Sequence, residues 1–291
     1  MKLPSILKHY LFRLKVSYWK LEQYLHLLKI RLANTQSSIG KRTTCSGLYV
    51  TLTSYPPRFN TLQWNIKSLI NQDMPPEKII LWVAENDKAH LPEEVIKLAN
   101  NVPFFEVRTC EDLRSYKKII PALLAYPKKH FVIADDDIIY PSNWLSSLYK
   151  SWSGNDKEVV AHRCHIVTFA DNGTPKPYQQ WAAHTSGKPE DARVTQYFPT
   201  GMGGVLYPSG SLNQTAIDQT LFLALCPFAD DVWLFWMARL NGCVIKPTQT
   251  SLNFVALPRT DRGGLAERNV AQSGNDKQIN AMIEKFGWPE Y

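Results

Sequence analysis

Phe131-Val132-Ile133-Ala134-Asp135-Asp136-Asp137-Ile138-Ile139-Tyr140-Pro141 decides how this sequence is read. Four apolar residues spell a short buried strand, and the strand runs directly into three adjacent carboxylates. Carboxylates so placed repel one another and lose hydration, so something must compensate. A divalent cation is the natural candidate. Hard oxygen ligands suit magnesium or manganese, which take one or two carboxylates plus substrate phosphates. Asp135 and Asp137 have the D-x-D spacing, and a local reversal of the chain turns both toward one ion and Asp136 away. The plain structural alternative is an acidic turn capping a helix near Ser142-Asn143-Trp144, but a cap needs one Asp rather than three.

Upstream of that strand the chain alternates. Leu48 to Thr53 is β-rich and stops at Pro56-Pro57. Asn60 opens a helix with Leu62, Ile66, Leu69 and Ile70 on one face, ended before Pro75-Pro76. Lys78 to Val83 is a second buried-type strand. Pro92-Glu93-Glu94 starts a helix with Pro early and acids in its first turn. Phe104 to Val107 is strand-like, and Ile119, Leu123 and Leu124 mark another helical stretch. Strand and helix in units of about 30 residues predict an α/β fold with a mostly parallel central sheet flanked by helices. Such sheets bind ligands at the carboxyl ends of their strands. No G-x-G-x-x-G follows the first strand, and Gly40-Lys41-Arg42 is not a P-loop, which excludes dinucleotide dehydrogenases and P-loop kinases.

Charge divides the chain. The sequence has 291 residues and a net charge of +7. Residues 1–43 carry nine Lys and Arg against Glu22 alone, while the remaining 248 residues carry 24 basic and 25 acidic side chains. The basicity belongs to a leader, not to the body, which speaks against a nucleic-acid binder. Leu7, Leu11, Leu14, Tyr18, Leu21, Leu25, Leu28 and Leu32 fall on one stripe of a helix from about residue 5 to 33. That stripe suits a short coiled coil or packing on the body. Its basic flank equally suits an anionic membrane surface. The expected division is therefore a leader and linker over 1–43 and one catalytic domain over 44–291. Five scattered cysteines without a C-x-x-C pair fit a reducing compartment. The expected location is cytoplasmic, peripheral at the inner face of the membrane.

Cys226-Pro227-Phe228-Ala229-Asp230-Asp231-Val232-Trp233-Leu234 supplies a second acidic motif about 95 residues after the first. Together with Thr51-Leu52-Thr53-Ser54-Tyr55 on the first strand and the D-x-D, it resembles the GT-A-fold (nucleotide-diphospho-sugar transferase) glycosyltransferases. The nearest likeness is to bacterial family-2-like enzymes of surface-polysaccharide assembly, over most of residues 46–250.

The resemblance implies a transfer of sugar from a nucleotide-diphosphate donor, UDP-linked by preference, to a glycan or lipid-linked acceptor. It implies inversion at the sugar carbon and a Mn2+ or Mg2+ cofactor. Asp137 would be a direct metal ligand, and Asp135 would reach metal or ribose. Thr53, Ser54, Tyr55 and Arg58 would face the nucleotide, with Asp136 in the same donor set. Glu85 or Asp87 would accept from the base. Asp112, Lys117 and Lys118 would lie near the donor, the lysines on phosphate. A carboxylate within hydrogen-bond reach must take the acceptor's proton, and Asp231, with Asp230 beside it, holds the position of the base in similar enzymes. A helix cap over Val232–Leu240 is compatible with that role. Gly203 and Gly204 would allow a sugar to approach the backbone. Trp181 would stack on a sugar, while Trp233 and Trp236 belong to the core. The late metal-binding His of many relatives is missing, since the last His is His184. Arg262, in a Gly-rich basic tail, would close over the diphosphate or end a terminal loop. A nucleotidyltransferase or a non-catalytic assembly protein are the competing functions. The leader would serve membrane contact or a homodimer.

Overall fold

The computed structural model describes residues 45–182, 197–257 and 274–289, together with Leu25 and Leu28. The expected leader helix, the linker and Arg262 otherwise lie outside the described residues. Leu25 and Leu28 are helical, with 46% and 36% of their surface exposed.

Strand β1, Cys45–Thr53, alternates as a pleated strand must. Leu48, Val50 and Leu52 enter one core and Tyr49 enters another. Helix α1, Phe59–Ile70, buries Leu62, Ile66, Leu69 and Ile70, the stripe expected from spacing. β2 is Pro76–Ala84. Helix α2, Glu93–Asn101, follows Pro92 and carries Glu93 and Glu94 in its first turn, where the helix dipole favours anions. β3 is Phe105–Cys110, helix α3 Ile120–Ala125 and β4 His130–Ala134. A two-residue strand β5, Ile138–Ile139, and helix α4, Trp144–Ser151, follow the aspartates.

The second half adds β6 (Glu158–Ala161), β7 (Cys164–Ile166), β8 (Tyr197–Pro199), β9 (Val205–Tyr207), helix α5 (Gln219–Leu225), helix α6 (Asp230–Leu240), β10 (Val244–Pro247), β11 (Val255–Ala256) and helix α7 (Gly274–Phe286). Seven strands form the central sheet in the order β10-β6-β9-β4-β1-β2-β3. Only β9 runs against its neighbours β4 and β6. The remaining pairs are parallel. Helices cover both faces, as a mostly parallel sheet requires. One core lies against α1, α2 and α4, and the other against α6 and α7.

The topology places the site. The chain steps outward from β1 to β2 to β3, then returns to the other side of β1 as β4. The carboxyl ends of β1 and β4 lie side by side, with Leu52 opposite Ala134. Loops leaving two such strands diverge and open a crevice at the switch point. Asp135 and Asp136 line it, and Asp137 follows in the same turn outside the lining.

Candidate active site

A cavity of about 530 Å³ opens at this switch point. Its lining comes from the carboxyl ends of four strands: Thr53–Pro56 and Arg58 after β1, Asp87 after β2, Asp112, Arg114, Ser115, Lys117 and Lys118 after β3, Ala134–Asp136 from β4. Phe228 closes it from the second acidic motif.

The three aspartates are held apart by different partners. Asp136 is 4% exposed. It accepts from Ser54 Oγ at 2.6 Å and from Arg58 Nη1 at 2.7 Å. Burial pushes its pKa up, while Arg58 and Ser54 pull the other way. Arg58 Nη1 also stands 3.4 Å from Asp137 Oδ2. Asp135 faces the opposite cation: Lys118 Nζ donates to its Oδ1 at 2.9 Å. The turn itself is pinned from beneath. Asn65 Nδ2 donates to the carbonyls of Asp135 and Ile138, and the Asp135 N–H donates to Tyr140 Oη.

This corrects the argument from repulsion. The charge that the sequence left uncompensated is met by Arg58 and Lys118, which arrive from segments 78 and 17 residues away. Two of the expected donor residues, Ser54 and Arg58, hold Asp136, and Arg58 also faces Asp137.

Lys118 joins the two acidic motifs. Its Nζ lies 3.1 Å from Asp230 Oδ2 as well as 2.9 Å from Asp135. Burial works against the ammonium, but the two carboxylates outweigh it and hold its pKa well above the ordinary value. Asp230 and Asp231 occupy the first turn of α6, after Ala229, and neither side chain caps the helix. The Asp231 carboxyl accepts from the Val232 N–H at 2.9 Å. Burial, then the charge of Asp230, push the Asp231 pKa up to about 7. The phenol of Tyr178 lies close by, hydrogen-bonded to Asn275, and is raised by burial and then by Asp231. Asn275 is 4% exposed and has an unpartnered Oδ1.

The remaining expected residues divide. Thr53 and Tyr55 line the cavity, and Thr53 Oγ1 donates to the Trp82 carbonyl at 2.8 Å. Lys117 is buried against the exposed carboxylate of Asp112, and both line the cavity. Of the pair Glu85 and Asp87, Asp87 reaches the cavity wall, because the 3-10 turn Glu85–His90 carries Glu85 past it. Trp181 is 4% exposed and packs on Phe198, Tyr178 and Trp288, so its ring serves the core rather than a sugar. Gly203 and Gly204 have φ of +101° and +97°. A Cβ on Gly204 would stand 2.6 Å from the Trp144 ring, so the close approach here is to a tryptophan. Trp233 and Trp236 are fully buried, as expected.

Sequence reasoning gave no site role to Arg114, Ser115, Phe228 or Tyr178. Arg114 has φ +56°, the one positive value outside glycine among the described residues. Asn275, at the start of α7, is linked to Asp231 through Tyr178, which it hydrogen-bonds.

No family model matches the chain, and no curated protein matches it in sequence. Solved structures do. The mannosyltransferase PcManGT from Pyrobaculum calidifontis, in complex with GDP-Man and Mn2+, is 14% identical with a TM-score of 0.50 over 94% of this chain and 76% of that one. S. aureus TarS 1–349 in complex with UDP is 13% identical with a TM-score of 0.45, over 72% of this chain. The chain spans 60% of that fragment's length. The inositol-1-phosphate CTP transferase from T. maritima is 10% identical, TM-score 0.41, over 84% and 97%. What the first likeness carries is the fold: a GT-A-type mixed α/β architecture with its mostly parallel seven-stranded sheet.

Proposed function

We propose that this protein is a metal-assisted glycosyltransferase that moves a sugar from a nucleoside-diphosphate donor, UDP-linked by preference, to a glycan acceptor. One observation carries the proposal: Lys118 bridges Asp135, on the donor cavity, to Asp230, beside Asp231. A sugar carbon held between the cavity and Asp231 would meet a leaving diphosphate on one side and a base on the other. The GT-A-type fold supports this reading.

Asp135 and Asp137 fit a Mn2+ or Mg2+ that takes further oxygens from a diphosphate. Both keep part of their side chains accessible, at 23% and 17%. They do not form a cage alone, since no cluster of three His, Cys, Asp or Glu side chains suited to a metal occurs among the described residues. Small divalent ions use such partial shells with substrate phosphates. When bound, the ion supplies positive charge to the departing diphosphate.

The chain's own residues do the rest. Lys117 adds positive charge on the cavity wall, and Thr53, Tyr55 and Asp87 border the nucleotide. Asp231 accepts the acceptor hydroxyl's proton as its oxygen forms a bond to the sugar carbon and the bond from that carbon to the diphosphate oxygen breaks. Attack opposite the leaving group inverts the carbon. Lys118 keeps Asp230 in an ion pair, leaving Asp231 as the group with the raised basicity.

Residues 44–291 form the catalytic domain in this reading. Residues 1–33 bring it to an anionic membrane face where a lipid-linked acceptor of surface polysaccharide lies, or join two copies. No helix among the described residues is long and apolar enough to cross a membrane. Thermal shift against a panel of nucleotide sugars with manganese, followed by product analysis, tests the proposal. A donor that raises the melting temperature and releases nucleoside diphosphate supports it. Release of pyrophosphate instead makes the protein a nucleotidyltransferase, and no donor effect at all removes the enzyme reading.

A further inference from the structure

The 3-10 turn Arg114–Lys118 borders the donor cavity, and its alternate side chains reach across that wall to the segment that precedes Asp231. Arg114 Nη1 donates to the Pro227 carbonyl at 3.0 Å, and its guanidinium lies 4.6 Å over the Phe228 ring. Tyr116 Oη donates to the Cys226 carbonyl at 2.7 Å, and its ring stacks on Phe222 at 4.1 Å. Lys118 takes Asp230 at 3.1 Å. Three successive even-numbered residues thus hold residues 226, 227 and 230.

The turn itself is braced at both ends. Asp112 Oδ1 accepts from the Arg114 N–H at 3.1 Å, and Thr51 Oγ1 on β1 donates to the Lys118 carbonyl at 2.6 Å. Arg114 is held at φ +56°, a conformation that persists for a non-glycine residue only when its surroundings enforce it. The planar guanidinium matches both a ring face and a carbonyl at once.

We propose that this turn is a positioning bracket for Asp231, and that Arg114 serves the acceptor-base segment rather than the donor diphosphate. The proposal rests on Asp231 as the base. It sets Arg114 apart from Lys117, whose ammonium pairs with Asp112 on the cavity wall. Because one rigid turn both borders the donor and holds the base segment, the spacing between leaving group and base is set by a single element.

The test compares Arg114→Ala, Arg114→Lys and Tyr116→Phe in the full chain. Hydrogen exchange of the amides from Phe228 to Trp233 should speed up about tenfold or more in Arg114→Ala and Tyr116→Phe, with β4 amides unchanged. UDP affinity with manganese should stay within about threefold of wild type. With the active donor, kcat should fall up to about 100-fold at nearly constant donor KM, the cost of a misplaced group. Arg114→Lys should not restore kcat, since an ammonium lacks the planar face. Loss of UDP affinity in Arg114→Ala with recovery in Arg114→Lys and unchanged exchange overturns the bracket and makes Arg114 a phosphate ligand. Should wild-type protein bind no donor, the functional assignment fails while the exchange result still decides the bracket.

Discussion

Lys118 and Asp230 form an ion pair of 3.1 Å whose two side chains are each only 9% exposed. Asp230 Oδ2 gains no aligned hydrogen bond from it, so the contact is one of charge. Charges buried this far are stable only together. The pair also ties the end of β4, through Asp135, to the start of α6.

Removing the lysine alone therefore strands two carboxylates. Lys118→Met is expected to cost about 3–5 kcal/mol of stability, the cost of breaking a buried pair. Combining it with Asp230→Asn should return part of that loss. Urea unfolding of the single and double variants measures both, and additive costs would contradict the pairing.

Asp231 governs a pH dependence of defined sign. Its pKa, pushed up to about 7 by burial and Asp230, predicts a kcat/KM that rises with pH through about 7. The unfolded carboxyl ionises near 3.9. Between those values the folded state holds a proton that the unfolded state has released, so this group's stabilisation is full below about 4 and is lost as pH rises toward 7. Asp231→Asn should remove that slope, melt above wild type at pH 8, bind donor normally and lose about 100-fold or more in transfer. A variant that keeps wild-type transfer would falsify the base assignment.

Arg58 is the counter-charge of a carboxylate that is 4% exposed. Arg58→Gln is expected to destabilise by about 3 kcal/mol or more, with Asp136→Asn in the same chain relieving much of it. Calorimetric melting of the two single variants and the pair shows the coupling. Equal melting of Arg58→Gln with and without Asp136→Asn would contradict it.

Gly204 and Gly154 separate two kinds of glycine. Both have positive φ, but a Cβ on Gly204 meets the Trp144 ring at 2.6 Å, while one on Gly154 meets nothing within 4 Å. Gly154→Ala should cost about 1 kcal/mol from backbone strain. Gly204→Ala should add about 1–3 kcal/mol from overpacking, together with a shift in tryptophan fluorescence.

Much of the architecture was legible because it is written in local periodicity. The stripe Leu62, Ile66, Leu69 and Ile70 predicts α1, and Pro92-Glu93-Glu94 predicts the start of α2, since neither depends on distant residues. The charged run after Phe131–Ala134 likewise pointed to the carboxyl end of a central strand, where such folds bind ligands. The leader's charge was countable directly from the sequence.

The partners of those charges were not legible. Whether Asp135–Asp137 stand uncompensated depends on Arg58 and Lys118, and only the sheet order β4-β1-β2-β3 carries the loops that bear them to one rim. Trp181 reads as an accessible ring until Phe198 and Trp288 close over it. Asp87 and Glu85 differ only in which way a 3-10 turn faces them. The partner of the Arg114 guanidinium, the Pro227 carbonyl, lies 113 residues away in sequence, so no local pattern announces it. The sequence by itself determined the strands, the helices and the two acidic motifs, since hydrophobic periodicity and residue chemistry act locally. The tertiary structure alone decided which cations neutralise which carboxylates and which aspartate keeps a raised basicity, because charge interaction depends on distance and burial, which the chain acquires only when folded.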